Sequence, residues 1–150
     1  MLHLGIDIGT TKVSAAIAAA DMSFHAAAAA DHHAAVPREE GFFEQDFGKI
    51  ENAVRKVLGD LPPDALSSVA SVGISTQMHT VLLGRSDGTV SNCVTWHDRR
   101  AEPILADLRR ASGRDLFPGY GVVTLAWYAR RGELDGWDWA AVDALLQKQF

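Results

Sequence analysis

The sequence predicts an α/β chain, and three observations carry that reading. It opens on a β-hairpin: the apolar run Leu4-Gly5-Ile6-Asp7-Ile8 breaks at Gly9-Thr10-Thr11-Lys12 and resumes at Val13. A stretch with Ile50, Val54, Val57 and Leu58 at helical spacing comes next, and leads into a further strand at 71–75. A second hairpin, centred on Asp87-Gly88, is succeeded by two more helical stretches.

Taken in order, residues 2–8 and 13–19 read as strands, and Asp21-Met22-Ser23 as a turn. Residues 24–36 admit two readings. The alanines at 26–30 favour helix by propensity, but a segment directly after a hairpin is placed to add a third antiparallel strand, and we adopt the strand. Residues 37–43 form a loop. Asp46 is an N-cap candidate for a helix over 47–58, which Gly59 stops and Pro62-Pro63 separates from the next segment. Residues 65–70 lead into a buried strand at 71–75. Strands at 80–83 and 90–95 flank Arg85-Ser86-Asp87-Gly88. A helix over 103–111 ends at Gly113, and one over 122–131 ends at Gly132. Residues 140–150 are apolar enough to be core, so the chain is expected to be a truncation. There is no internal repeat and no linker.

The chain has 150 residues, 47% of them hydrophobic and 22% charged, with a formal net charge of −5. That suits one globular domain, or part of a larger one, with material for a core. No basic patch points to nucleic acid. No apolar run approaches the length of a membrane span, and the N-terminus has no signal-peptide pattern. Cys93 is the only cysteine, which excludes an intrachain disulfide and makes a reducing cytosol the simplest compartment. The six histidines lack zinc spacing, and His32-His33 reads as solvated strand or loop.

The first turn suits a polyphosphate and its metal. Glycine lets a ligand approach the backbone, successive N–H groups form an anion-binding concavity, and Gly9, Thr10, Thr11 and Lys12 supply donors. Asp7 could hold Mg²⁺ through water, since Mg²⁺ dehydrates reluctantly and needs few carboxylates. The P-loop pattern is absent. An ordinary hairpin, with Asp, Gly and Thr as turn formers, is the other reading.

Two later segments come after strands, where ligands of open α/β sheets bind. In Gln77-Met78-His79, amide and imidazole suit hydroxyl groups and the thioether forms an adaptable wall. A strand-end turn with a satisfied histidine is the alternative. In Trp96-His97-Asp98-Arg99-Arg100, Asp98 could accept two hydroxyl hydrogen bonds, Arg99 or Arg100 could orient it, and Trp96 could pack on a sugar's C–H face. Asp98 as a helix N-cap is the competing role. Pro118-Gly119-Tyr120-Gly121 reads as packing.

Together, Gly5-Ile6-Asp7-Ile8-Gly9-Thr10-Thr11-Lys12, Glu44-Gln45-Asp46, Gly73-Ile74-Ser75-Thr76-Gln77-Met78-His79 and Trp96-His97-Asp98-Arg99-Arg100 resemble, in order and spacing, the N-terminal domain of the FGGY family of carbohydrate kinases. The opening motif alone would also suit other actin-like ATPases. The resemblance implies an actin-like, ribonuclease H-type domain with a mixed five-stranded sheet flanked by helices. It implies ATP and Mg²⁺ as cofactors, with Asp7 at the metal, Gly9, Thr10, Thr11 and Lys12 at the phosphates, and Gln77, Met78, His79, Trp96 and Asp98 at the sugar. The general-base aspartate and the nucleotide-binding second domain are expected beyond Phe150, so these residues alone are expected to be inactive. Gln77-Met78-His79 looks like xylulokinase and sedoheptulokinase, whereas glycerol kinases place Arg-Glu at Met78-His79. Gly119-Tyr120-Gly121 before Leu125-Ala126-Trp127 looks like sedoheptulokinase. Ketose kinases usually carry glycine at Thr76, Thr80 and Arg99, so the pocket is expected to be narrower here, with an added charge. A non-catalytic sugar- or nucleotide-binding fragment and a non-sugar actin-like ATPase remain as alternatives. The exposed face of half an actin-like pair makes a homodimer an expectation.

Overall fold

The computed structural model describes residues 1–142. Its strands are β1 (Leu2–Ile8), β2 (Lys12–Ala19), β3 (Phe24–Asp31), β4 (Ala35–Val36), β5 (Glu44–Gln45), β6 (Val69–Thr76), β7 (Val81–Gly84), β8 (Cys93–Val94) and β9 (Trp139–Val142). Its helices are α1 (Phe47–Gly59), α2 (Pro63–Ser67), α3 (Leu105–Ser112) and α4 (Gly121–Arg130), with a 3₁₀ turn at Glu102–Ile104. The chain divides into two compact units, residues 1–34 with 48–76, and residues 35–47 with 77 onward.

The first unit is built on a sheet of order β3-β2-β1-β6. The period of two along β1 and β2 sends Leu4, Ile6, Ile8, Val13, Ala15 and Ile17 into the core. Ile8 and Ile17 are wholly buried, each stabilising the fold by on the order of 2 kcal/mol. From α1, the same unit buries Ile50, Ala53, Val54 and Val57, the stripe its periodicity predicts. The alanine run forms β3, as its position after the hairpin predicts; Ala28 pairs with Ala15 and Ala30 with Val13. Cross-strand pairing here overrides the helix propensity of alanine.

Two expectations change. The mixed sheet has four strands among the described residues, not five: β1, β2 and β3 are antiparallel neighbours, and β6 runs parallel to β1. The strand at 71–75 is not buried. β6 is an edge strand among the described residues, paired there with β1, and its Val72 and Ile74 are 55% and 43% exposed. β1 and β6 still end in register, Ile8 opposite Thr76, so their carboxyl ends share one edge of the sheet.

The second unit holds an antiparallel sheet of short strands, β4-β5-β8-β7-β9. Val81, Leu83 and Val94 form its core with Leu125, Tyr128, Leu134 and Trp137. A neighbouring cluster joins Ala101, Leu105 and Val123 to Leu116, Tyr120 and Trp127. The Asp87-Gly88 hairpin forms as predicted, with Gly88 at φ 94°. The strand at 90–95 shrinks to β8 and a lone bridge from Val90 to Gly84. The cause is Ser91, whose hydroxyl accepts the Leu83 amide at 3.0 Å in place of a ladder carbonyl. The helix at 103–111 starts as the 3₁₀ turn and ends on left-handed Gly113. Of the apolar end at 140–150, residues 143–150 lie outside the described residues.

Candidate functional site

The β1–β2 turn stands at the carboxyl end of β1. The Gly9 amide donates to the Lys12 carbonyl at 2.9 Å, leaving Thr10 and Thr11 at the tip. Asp7, Thr11 and Lys12 are exposed, and Gly9 and Thr10 half-buried. Gly9 does not have a positive φ. A Cβ on it would sit 3.3 Å from the Lys12 carbonyl oxygen and 3.8 Å from Asp7 Oδ2, so glycine serves close approach rather than an unusual dihedral. Asp7 lies opposite Ser14 on one side and Ser75 on the other. The sheet face around it is lined by small residues, among them Gly5, Ala16 and Gly73, and forms an open concavity of about 860 Å³. One exposed carboxylate in a small-residue setting fits a magnesium ion that keeps most of its waters. No cluster of three metal-ligating side chains occurs among the described residues.

His32 departs from the expectation of a solvated residue: it is 6% exposed and sits against this turn. Its Nε2 lies 3.3 Å from the Gly9 carbonyl, and its Nδ1 accepts the Ala34 amide at 3.1 Å. Burial pushes its pKa below the ordinary histidine value, against the opposing effect of the Gly9 carbonyl. Its neighbour His33 is exposed, with φ 46°.

In the second unit a cavity of about 390 Å³ gathers Met78, His79, Trp96 and Asp98, four of the five residues assigned to a sugar. Phe117 and Tyr120, which the sequence reading did not assign to a site, also line it. The imidazole of His79 stacks on Tyr120 with ring centres 4.4 Å apart. His79 holds φ 59°, the left-handed region that non-glycine residues enter at a cost. Met78 is 63% and Trp96 43% exposed. Gly119 packs as expected, and a Cβ on it would fall 1.7 Å from the Trp96 carbonyl oxygen.

Two of the five differ from expectation. Gln77 is not among the cavity's lining residues. It is 5% exposed, its amide donates to Gln45 Oε1 at 2.8 Å, and its own Oε1 is a buried acceptor without a partner among the described residues. Asp98 does not offer its carboxylate to hydroxyl groups. Oδ1 accepts the Arg100 amide and Arg100 Nε, both at 2.9 Å, and Oδ2 accepts the Phe43 amide at 2.8 Å and Arg100 Nη2 at 2.9 Å. Those four bonds fill the carboxylate. Asp98 is not an N-cap either, since the 3₁₀ turn begins after Ala101.

Arg100 is the partner that orients Asp98. It also donates to Glu44 Oε1 at 2.7 Å and to the Tyr128 hydroxyl at 2.6 Å, with its guanidinium over the rings of Phe42, Trp127 and Tyr128. Burial raises the Glu44 carboxyl, but hydrogen bonds from Arg100, Asn92 and Arg38 outweigh it and hold the group below its ordinary value. Arg99 lines the cavity while bonding Glu102 at 2.8 and 3.1 Å, and Thr80 is buried.

Residues 2–130 match the N-terminal domain of the FGGY family of carbohydrate kinases. A sedoheptulokinase of Mus musculus is 32% identical over 152 residues, covering 83% of the chain and 32% of that protein. A glycerol kinase of Agrobacterium fabrum is 33% identical over 119 residues, covering 76% of the chain and 24% of that protein. Among solved structures, a xyloylose kinase from Brucella ovis superposes with a TM-score of 0.79 at 28% identity, over 89% of the chain and 30% of its own. The chain thus spans about a third or less of the length of these relatives. The mixed sheet with its flanking helices is the actin-like fold of these sugar kinases. The chain belongs to the FGGY family of carbohydrate kinases.

Proposed function

We propose that this chain is the N-terminal, sugar- and phosphate-binding portion of an ATP-dependent kinase whose acceptor is a ketose or related polyol. The cavity of the second unit carries the reading. It combines an exposed indole, a thioether, an imidazole and a phenol with the Arg99 guanidinium, itself bonded to Glu102, which suits a polyhydroxylated molecule with one C–H face. Met78-His79 in place of Arg-Glu favours a ketose over glycerol. Trp96 packs on the sugar, and His79 hydrogen-bonds a hydroxyl. Asp98 acts through position, fixing the loop that presents Trp96.

In-line transfer of a phosphoryl group needs positioning and charge neutralisation more than covalent chemistry. Asp7 would hold Mg²⁺ through water; when bound, the ion neutralises charge on the phosphates. Gly9, Thr10, Thr11 and Lys12 face those phosphates. An aspartate beyond Phe150 would accept the proton of the attacking hydroxyl.

The test is ADP release with Mg-ATP across D-xylulose, L-xylulose, D-ribulose, sedoheptulose, gluconate and glycerol. It is run on this chain and on one extended past Phe150. Release dependent on one ketose supports the reading and names the acceptor. Sugar binding without release by either chain favours a binding module. ATP hydrolysis indifferent to every sugar favours another actin-like ATPase.

A further inference from the structure

We propose that His32 is a positioning residue for the phosphate turn, acting as a neutral Nε2–H imidazole that pins the Gly9 carbonyl. This rests on the reading of that turn as a phosphate site. The backbone and ring of His32 reach the turn at two points. Its amide donates to the Thr11 carbonyl at 3.1 Å, and its Nε2 meets the Gly9 carbonyl at 3.3 Å.

The other ring nitrogen fixes the tautomer. Nδ1 accepts the Ala34 amide at 3.1 Å, so it carries no proton, and the single proton of the neutral ring is on Nε2, where Gly9 needs a donor. Burial keeps the ring neutral. A peptide unit is planar and trans, so its C=O and N–H point to opposite sides. Holding the Gly9 oxygen against His32 therefore turns the Thr10 N–H away from the ring. The same applies to the Thr11 carbonyl and the Lys12 N–H. His32 thus sets the direction of turn amides without meeting the ligand. A ring protonated on both nitrogens would lose the Ala34 bond and place two donors face to face.

The test is NMR-detected hydrogen exchange on the native chain, His32→Ala and His32→Gln, with the ring tautomer read from imidazole ¹⁵N shifts. The native ring is expected to be Nε2–H. In His32→Ala the Gly9 amide, which closes the turn onto Lys12, is expected to exchange about tenfold faster, with core amides such as Ile6 unchanged. His32→Gln, with a donor and an acceptor on one carboxamide, is expected to recover most of the protection. An Nδ1–H ring, an unchanged Gly9 amide, or uniform loosening of the whole sheet in both variants would each overturn the inference. In the full-length kinase, His32→Ala is expected to raise KM for Mg-ATP about tenfold and leave KM for the sugar within about twofold. Equal changes in both constants, with sugar-dependent turnover intact, overturn the positioning role. Native turnover indifferent to sugar defeats the kinase reading instead, and leaves the exchange result to judge His32.

Discussion

Arg100 grips Asp98 with two side-chain nitrogens, Nε on Oδ1 and Nη2 on Oδ2, each at 2.9 Å, and the Arg100 amide adds a third bond. Both side chains are almost wholly buried, at 4% and 0% exposure. A buried ion pair strengthens a fold only when its remaining donors and acceptors are met. Here Glu44, Tyr128 and the Phe43 amide meet them. The fork of arginine fits this arrangement and the point charge of lysine does not. Arg100→Lys is expected to cost about 2 kcal/mol in urea unfolding. Sugar affinity should fall with it, because the loop carrying Trp96 loses its anchor.

The same network gives an acid limit. The Glu44 carboxyl is held below its ordinary value, so the folded state binds fewer protons than the unfolded state between the two values. Its contribution is present above the usual carboxylate range and is lost as pH falls through the folded value. Glu44→Gln should flatten the fall in stability below about pH 4.5, measured by urea midpoints across pH.

Gly119 tests how tightly the cavity is built. A Cβ there collides with the Trp96 carbonyl, which is backbone and cannot swing aside as a side chain would. Gly119→Ala is expected to destabilise the chain by about 1–3 kcal/mol. Displacement of the Trp96 loop should show as a changed indole fluorescence spectrum. Gly59→Ala, where a Cβ would meet nothing within 4 Å, serves as the control.

Much of this was legible from local pattern. The hairpin turn, the Asp87-Gly88 turn and the stripe on α1 each depend on residues close in sequence, and each formed as read. The features that stayed hidden depend on distant partners. Asp98 reads as a sugar acceptor until Phe43 and Arg100 are seen to fill its oxygens. Nothing local marks His32 as buried, since its neighbour His33 is exposed and both come after an alanine run. Tyr120 joins the cavity through its stack on His79, 41 positions away in number and invisible to periodicity. The exposure of β6 is hidden for a different reason: Val72 and Ile74 are apolar, yet their strand is the edge of its sheet among the described residues.

His79 separates recognition from strain. Its φ of 59° disfavours a side chain there by roughly 1–2 kcal/mol, less for histidine than for alanine. His79→Gly is therefore expected to hold or raise stability, while His79→Ala lowers it. Both should weaken sugar binding by about tenfold, since both remove the imidazole and its stack on Tyr120. Calorimetric titration of the sugar, set beside thermal melts, checks the two effects. Unchanged affinity in both variants would exclude His79 from the sugar site.

Asp7 is the sharper probe of the phosphate end. Its side chain is exposed on β1, outside the core that Ile6 and Ile8 build, so its charge can be removed without loosening the sheet. Asp7→Asn keeps the shape and a polar tip but takes away the charge that would hold a hydrated magnesium ion. Under the proposed function, phosphoryl transfer is expected to fall on the order of a hundredfold or more, with sugar affinity and melting temperature close to native. Loss of transfer together with loss of sugar binding would instead assign Asp7 to folding. Retained transfer would remove it from the metal site and leave Gly9, Thr10, Thr11 and Lys12 to carry the phosphate reading alone.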